Sequence, residues 1–155
     1  MAKSEQRIIC RNKDAARHYE FEENYEAGMV LLGTEVKSLR EGKAQLKDAY
    51  CDFRDTELYL LGAHIAPYSM SRFNHHPDRP RKLLLRKQEL KRLYGKVTER
   101  GFTIIPLKLY FKNNLVKLEI ALARGKKLYD RREEIKRRDI MREMRREAKS
   151  RRYKT

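Results

Sequence analysis

The segment that most restricts the fold of this 155-residue chain is FTIIPLKLYFKNNLVKLEIALA, residues 102–123. Apolar and polar residues alternate on both sides of Asn113-Asn114, and a period of two is typical of β-strands with one buried face. Two asparagines suit the tight turn between such strands, so the segment predicts a β-hairpin. Pro106 has no amide hydrogen to donate, and it is therefore expected at a sheet edge or a bulge.

Two further segments have the composition of strands. In YEFEENYEA the rings of Tyr19, Phe21 and Tyr25 alternate with charged residues. The first strand is therefore expected to begin near Tyr19, after an irregular lead-in over residues 1–18. Residues 48–65 predict a second hairpin, whose strands are joined at Asp55-Thr56.

Two helices are expected between these strands. Thr34 is placed to cap a short helix that ends at Gly42 and that exposes Lys37 and Arg40. Leucines at helical spacing predict a longer helix over about residues 85–100, which stops at the following glycine.

The segment 66–82 contains three of the four prolines, and it predicts a surface loop. Its basic residues make it a candidate contact surface: Arg72, Arg79, Arg81 and Lys82. In total, the pattern predicts five or six antiparallel strands with two or three inserted helices. A small closed barrel of the oligonucleotide-binding (OB) type satisfies this pattern.

Charge is the strongest indication of a partner, because the chain carries a net charge of +16. A polyanion explains this excess better than solubility does, and nucleic acid is favoured over an anionic membrane. No apolar stretch approaches the roughly 20 residues of a membrane span. The opening MAKSEQR lacks the apolar core of a signal peptide, and the two cysteines provide no disulfide framework. A cytoplasmic location is therefore expected.

Half of the excess charge lies in the last fifth of the chain. Residues 125–155 contain fourteen basic and six acidic residues, a net +8, so the sequence divides into a barrel domain, 1–124, and a basic tail, 125–155. Pairs such as Glu133 with Arg137 favour a helix by about 0.2–0.5 kcal/mol each, whereas Arg138 and Arg142 repel. The tail is expected to be marginal as a helix alone and to fold where RNA neutralises its charge.

Catalytic and metal-binding motifs are not evident. Only His75 and His76 of the four histidines adjoin, and neighbours in a proline-rich loop rarely converge on one metal. The sequence lacks a glycine-rich phosphate loop and a nucleophile motif, so neither an enzyme nor a cofactor is expected. By pattern alone, Glu26 is an exposed charge at the end of a strand.

Motifs over nearly the whole chain resemble the small protein B family, the SsrA-binding proteins of bacterial trans-translation. The matching segments are EAG at 26–28, GTEVKSLR at 33–40, RKLLL at 81–85, GKK at 125–127 and YDRR at 129–132. The resemblance implies an OB-type barrel with inserted helices, and a tail that is disordered in solution and helical on the ribosome. It also implies binding to transfer-messenger RNA and its delivery to stalled ribosomes, where the released peptide receives a degradation tag.

The resemblance also implies sites. By matching motifs, Asn12, Glu26 and Leu84 are RNA contacts at the elbow of the transfer-RNA-like domain. Charge adds Lys37, Arg40 and Lys82, and the predicted RNA-binding set is completed by Arg81, Gly125, Lys126 and Lys127. The expected contacts to the ribosomal decoding centre and the empty message channel are Asp130, Arg131, Arg132, Lys136 and Arg137. The protein is expected to act as a monomer, without a metal or a membrane.

The chain departs from the family pattern before the first strand, where it has Arg17-His18-Tyr19, and in the proline loop, where His76 replaces an acid. Two other functions stay open at this stage. A structural ribosomal protein with a basic extension fits the composition equally well, and it would be present on every ribosomal subunit. An enzyme acting on RNA is disfavoured because the sequence shows no pair of residues recognisable as a general acid and a general base.

Overall fold

The computed structural model describes residues 6–125 and a helical turn at 142–146. The first of these ranges contains nine strands and three helices. The strands are β1 (Gln6–Arg11), β2 (Tyr19–Met29), β3 (Ala44–Gln45), β4 (Tyr50–Arg54), β5 (Glu57–Leu61), β6 (His64–Ile65), β7 (Arg81–Leu84), β8 (Thr103–Lys112) and β9 (Leu115–Gly125). The helices are α1 (Ala15–His18), α2 (Gly33–Arg40) and α3 (Lys87–Arg100).

The main sheet closes on itself. Its strands follow the order β1-β8-β4-β5-β7-β2-β9, and β9 pairs in turn with β8. Every pairing is antiparallel, and β4 meets β8 through Cys51 and Ile104. The ring therefore has six strands, with β1 added beside the later half of β8, and β3 and β6 form a separate two-stranded sheet. This architecture confirms the predicted OB-type barrel.

Leucine and isoleucine side chains fill the barrel interior. Leu58, Leu60, Leu109, Leu118 and Ile120 are completely buried, and they come from three different strands. Successive strand residues point to opposite faces, so the residues between them form the outer surface. The alternation that predicted the strands therefore also separates the core from the candidate binding surface.

The predicted hairpins are confirmed. Asn113 and Asn114 both have positive φ, 49° and 66°, and they form the two-residue turn between β8 and β9. The register of that ladder shifts between Pro106 and Lys108, so Pro106 lies at a bulge, as expected. Asp55, with φ of 58°, begins the turn between β4 and β5.

The N-terminal prediction is wrong for the described residues. Residues 6–11 form β1 and pair with β8, and residues 15–18 form α1. Ile8, Ile9 and Cys10 lack the alternation of a half-buried strand, because β1 lies beside the closed ring and Ile8 is 40% exposed. Pairing with β8 supplies the order that the local pattern does not indicate.

The helix α2 begins at Gly33, two residues earlier than a cap at Thr34 predicts, and its cap differs. The Glu35 carboxylate accepts a hydrogen bond from the Leu32 amide, 2.9 Å away, and so closes the first turn. The Thr34 hydroxyl lies 2.8 Å from His75 Nδ1 and does not cap the helix. A tertiary contact has therefore replaced the local cap, while Lys37 and Arg40 are exposed as predicted.

The helix α3 runs over Lys87–Arg100 and ends at Gly101, whose φ of 67° is left-handed, as the predicted stop requires. The residues just before it form β7, which the sequence did not predict. Leu83 fits the helical spacing, yet it lies in this strand, because Lys82 and Leu84 pair with Tyr59 on β5 and Gly28 on β2. Contacts with distant strands therefore decide the conformation of this segment.

A carboxylate between two elements holds α3 to the barrel. Glu23 on β2 accepts hydrogen bonds from Arg92 of α3, with Nε at 3.0 Å, and from the Tyr25 hydroxyl at 2.5 Å. The Arg92 hydrogen bonds, followed by that of Tyr25, lower the pKa of Glu23 to about 2. The carboxylate is therefore charged throughout the ordinary pH range.

We expect Glu23→Gln to destabilise the fold at pH 6 by about 0.5–1 kcal/mol, since the partners are partly exposed. The folded-state pKa is lower than the unfolded value of roughly 4.3, so this stabilisation is present above that value. It is lost as the pH falls towards 2. Urea unfolding at pH 6 and pH 3 measures the difference. The control is Glu22→Gln, because Glu22 forms a longer ion pair, with 3.7 Å between its Oε1 and Arg124 Nη2. An equal loss of stability in both variants at pH 6 would contradict the prediction.

Candidate nucleic-acid interface

Glu26 lies on the outer surface of β2, and two side chains of β8 hold its carboxylate in place. The Tyr110 hydroxyl donates a hydrogen bond to Glu26 Oε2 at 2.5 Å, and Lys112 Nζ lies 3.2 Å from Oε1. The Tyr110 hydrogen bond lowers the pKa of Glu26 more than partial burial raises it, and Lys112 lowers it further. Burial, followed by the Glu26 carboxylate, raises the pKa of Tyr110. Glu26 is therefore an ionised, oriented acceptor with 37% of its side chain exposed.

Leu84 lies beside this carboxylate although 58 positions separate them in the chain. It is 51% exposed, and it pairs with Gly28, two residues after Glu26 on β2. A Cβ atom at Gly28 would lie 3.4 Å from the Leu84 Cβ, which is an ordinary van der Waals contact. The pair borders a depression of about 600 Å³, lined by Glu26, Gly28, Leu84, Leu85, Arg86, Glu89 and Lys117. We call this surface the Glu26 face.

Asn12 lies at a second depression on the same side of the barrel. Its side-chain amide donates to the Pro106 carbonyl oxygen at 3.0 Å, and it lines a space of about 280 Å³ with Lys108 and Glu119. Glu119 is paired with Glu26 in the β2–β9 ladder, and opposed residues project to one face of a sheet. The structure therefore brings Asn12, Glu26 and Leu84 onto one outer surface.

Lys37 and Arg40 do not line either depression. Lys37 Nζ lies 5.4 Å from the centre of the Tyr68 ring in the proline loop. Arg40 lines a separate depression of about 630 Å³ together with Arg7 and Asn113. These two cations form another exposed positive area of the same barrel.

Arg81 and Lys82 are neighbours in β7 with different surroundings. Lys82 is partly exposed, and its Nζ lies 2.8 Å from Glu57 Oε1. Arg81, expected as an RNA contact, is instead completely buried. Its guanidinium donates to Glu35 Oε2 at 2.7 Å and to the carbonyl oxygens of Ala63 and Pro77, both at 2.8 Å. Strand alternation places it inside, so it supports the surface from within the barrel.

The remaining predicted residues lie at or beyond the end of β9. Gly125 pairs with Tyr19, at the end of the β2–β9 ladder away from Gly28. Strand geometry places it roughly 20 Å from Glu26. The other predicted tail contacts lie outside the described residues: Lys126, Lys127, Asp130, Arg131, Arg132, Lys136 and Arg137.

The proline loop has an ordered frame. The Asn74 side chain accepts from the Tyr68 amide at 2.7 Å and donates to the carbonyl oxygens of Tyr68 and Ser71. His75 is buried, with Nε2 2.9 Å from the Ile65 carbonyl oxygen. Met70 and Phe73 are 81% and 86% exposed, so the loop presents apolar surface as well as charge.

Sequence reasoning missed the groups around Glu26. Tyr110 and Lys112 lie two positions apart on β8 and therefore on the same face of the strand. The two-residue turn at 113–114 places Lys117 opposite Tyr110. The hairpin pattern alone therefore contained the signal that these three side chains share a face. It did not contain their nearness to Glu26, because β2 pairs with β9 over a separation of more than 90 residues.

No group of three or more His, Cys, Asp or Glu side chains within residues 6–125 and 142–146 is placed to hold a metal ion. Among those same residues, no helix is both long and apolar enough to cross a membrane.

The closed antiparallel ring and its outer face define the class of OB-type barrel proteins. The family described as SmpB protein matches residues 9–150. The chain therefore belongs to the SmpB protein family.

Relatives match the chain over nearly its whole length. An SsrA-binding protein of Syntrophobacter fumaroxidans is 58% identical over 147 residues, which cover 94% of this chain and 91% of the relative. An SsrA-binding protein of Geobacter metallireducens is 55% identical over 140 residues, which cover 90% and 92%. A chain of the solved structure described as "tmRNA-SmpB: a journey to the center of the bacterial ribosome" matches with a TM-score of 0.63. It is 50% identical, and the match covers 76% of this chain and 83% of that chain.

Proposed function

We propose that this protein binds transfer-messenger RNA through the Glu26 face and delivers it to stalled ribosomes for trans-translation. The observation that carries the proposal is the meeting of Asn12, Glu26 and Leu84 on one outer surface of the barrel. The names of the relatives, which refer to binding of SsrA, and the net charge of +16 support it.

Each group of this surface has a distinct role in the proposed binding. Lys117 and Arg86 contact backbone phosphates, which supply affinity without reading sequence. Glu26 accepts hydrogen bonds from base or ribose donors, because a carboxylate is tolerable against RNA only where it meets donors. Leu84 provides an apolar surface for a base that has left its stack, as happens in an RNA elbow. Asn12 Nδ2 already donates to the Pro106 carbonyl, which orients the amide oxygen as an acceptor.

The tail acts at a later step of the proposed function. Residues 1–124 hold the transfer-RNA-like domain, and residues 125–155 enter the empty message channel. Gly125, Lys126 and Lys127 begin this segment, and Asp130, Arg131 and Arg132 contact the decoding centre, with Lys136 and Arg137 on the helix beyond. The protein acts in the cytoplasm as a monomer, and it carries out no catalysis itself.

Substitutions in the tail test whether RNA binding and action on the ribosome are divided between the barrel and the tail. The double variant Arg131→Lys with Arg132→Lys keeps the charge but removes two planar guanidinium groups that bind phosphate in a bidentate manner. We expect its affinity for transfer-messenger RNA to stay within about threefold of wild type, roughly 0.6 kcal/mol. Peptide tagging on stalled ribosomes should be lost at saturating RNA complex.

Asp130→Asn provides the comparison in the same assay, because it raises the net charge and keeps a side chain that can cap a helix. It should retain both binding and tagging. If the double lysine variant tags peptides as well as wild type does, the two arginines act only through their charge, as part of a non-specific basic linker.

The alternative compatible with the basic composition, a structural ribosomal protein, is not favoured by the family match or by the relatives. Affinity purification of the full chain separates the two functions. We expect one small RNA to co-purify in equal amount with the protein, and ribosomes to be far below equal amount. A constant one-to-one ratio to ribosomal subunits would overturn the proposal.

A further inference from the structure

A second concave surface adjoins the Glu26 face. It is a groove of about 680 Å³ between the β4–β5 hairpin, β7 and α3. Its walls are mostly apolar, formed by Phe53, Leu58, Leu83, Leu84, Leu85, Leu90 and Tyr94. Of the residues that the sequence analysis assigned to RNA binding, only Lys82 and Leu84 line this groove.

An aromatic pair forms one wall of the groove. The Phe53 and Tyr94 rings meet at 88°, with 5.2 Å between their centroids. This edge-to-face contact positions the Tyr94 ring without covering it, and Tyr94 is 49% exposed. A tyrosine that is fixed by a neighbour and still half-exposed offers a ready surface for stacking.

Three lysines and two acidic residues are among the residues that line the groove. Lys82 is paired with Glu57, which leaves Lys87, Lys91 and Asp55 as the other charged residues of the lining. Lys87 and Lys91 are exposed and lie four positions apart on α3, so they project from the same side of the helix. A groove with an apolar interior and a net positive rim matches a nucleotide, whose base is flat and whose phosphate is anionic.

Leu84 and Leu85 connect the two concave surfaces, since both line the groove and the depression beside Glu26. The groove is therefore continuous with the Glu26 face at these two residues. This continuity and the lysine rim favour RNA over a protein segment as the occupant.

We propose that the groove holds one unpaired base of the bound RNA, stacked on Tyr94, with Lys87 and Lys91 contacting the adjacent phosphates. The inference rests on the proposed function, and it adds a base-binding subsite to it. Stacking of a base on an aromatic ring tolerates any base, because every base has a planar face. The subsite thus strengthens binding at an unpaired position and does not read its identity.

The binding test uses the full chain and the labelled transfer-RNA-like domain of transfer-messenger RNA. We expect Tyr94→Ala to weaken binding about tenfold, and Tyr94→Phe to stay within about twofold, since phenylalanine keeps the stacking face. Tyr50→Ala is the matched control, because Tyr50 is 46% exposed and does not line the groove. It should bind within about twofold of wild type.

Salt dependence separates stacking from charge. Tyr94→Ala should lower affinity equally at every salt concentration, whereas Lys91→Ala should reduce the slope of log affinity against log salt by about one. In the Tyr94→Ala complex, a 2-aminopurine placed at the stacked position should fluoresce more strongly than in the wild-type complex. Thermal unfolding of each variant checks that the barrel is folded.

The outcomes distinguish this inference from the function on which it rests. If wild-type protein does not bind the RNA, the proposed function fails. If wild type binds and Tyr94→Ala matches Tyr50→Ala, the base subsite is refuted and the proposed function stands. A groove occupied by a protein partner would give that second result.

Discussion

Glu35→Gln is expected to destabilise the barrel by about 3–5 kcal/mol, because it removes one partner of a buried ion pair. The Glu35 and Arg81 side chains are both completely buried, and Arg81 Nε lies 2.7 Å from Glu35 Oε2. Arg79 and the Leu32 amide donate to the other carboxylate oxygen. A neutral amide would leave the Arg81 guanidinium uncompensated inside the protein and would present an NH₂ group to one of these donors.

The pKa of Glu35 agrees with this expectation. Burial acts to raise it, but hydrogen bonds from Arg79, the Leu32 amide and Arg81 outweigh burial and lower it. The stabilisation by the carboxylate is therefore present above the unfolded pKa of roughly 4.3 and is lost as the pH falls below it.

Denaturant unfolding at pH 7 measures the effect. The control is Glu41→Gln, because Glu41 is 40% exposed and pairs with Lys43 at 3.1 Å. It should change stability by less than about 0.5 kcal/mol, as exposed pairs usually do. A loss below about 1 kcal/mol for Glu35→Gln would show that water enters and compensates the site.

Glu26→Lys is expected to weaken binding of the transfer-RNA-like domain by about 30-fold, roughly 2 kcal/mol. Hydrogen bonds to charged groups contribute about 1.5–3 kcal/mol each, and the lysine would present donors to donors. It would also face Lys112, whose Nζ lies 3.2 Å from the carboxylate. The loss is expected although the substitution makes a basic protein more basic.

Glu22→Lys is the matched control, because Glu22 lies on the same strand and is exposed, but it is not part of the Glu26 face. It adds the same charge and should leave affinity unchanged or slightly raised. Fluorescence anisotropy at two salt concentrations measures both variants. Stronger binding by Glu26→Lys would show that Glu26 only repels phosphate and accepts no RNA donors.

The local elements were predictable because their causes are local. The turn at Asn113-Asn114 and the end of α3 at Gly101 depend on the positive φ values that those residues permit. The bulge at Pro106 depends on the amide hydrogen that proline lacks. Side-chain alternation over 102–123 then determines which residues face the core. The excess of positive charge is evident from composition alone, and it indicates a polyanionic partner.

The candidate site was predictable only in part. Asn12, Glu26 and Leu84 came from motif resemblance, and no local pattern indicates that they meet. The local pattern was misleading for Arg81, because its basic neighbours in the proline loop indicate a surface residue. Burial of Arg81 follows from pairing of β7 with β5 and from Glu35 on α2, which supplies the opposite charge.

The hairpins, the end of α3 and the polyanionic partner can be predicted from the sequence, because turn chemistry and periodicity act over a few residues and net charge depends on composition alone. That β1 and β7 are strands, and that Leu84 lies beside Glu26 and borders the Tyr94 groove, follows only from the pairing of distant strands. These pairings join segments tens of residues apart. The free energy that selects them comes from burying Leu58, Leu109 and the rest of the core when the ring closes, and no short window of sequence contains that energy.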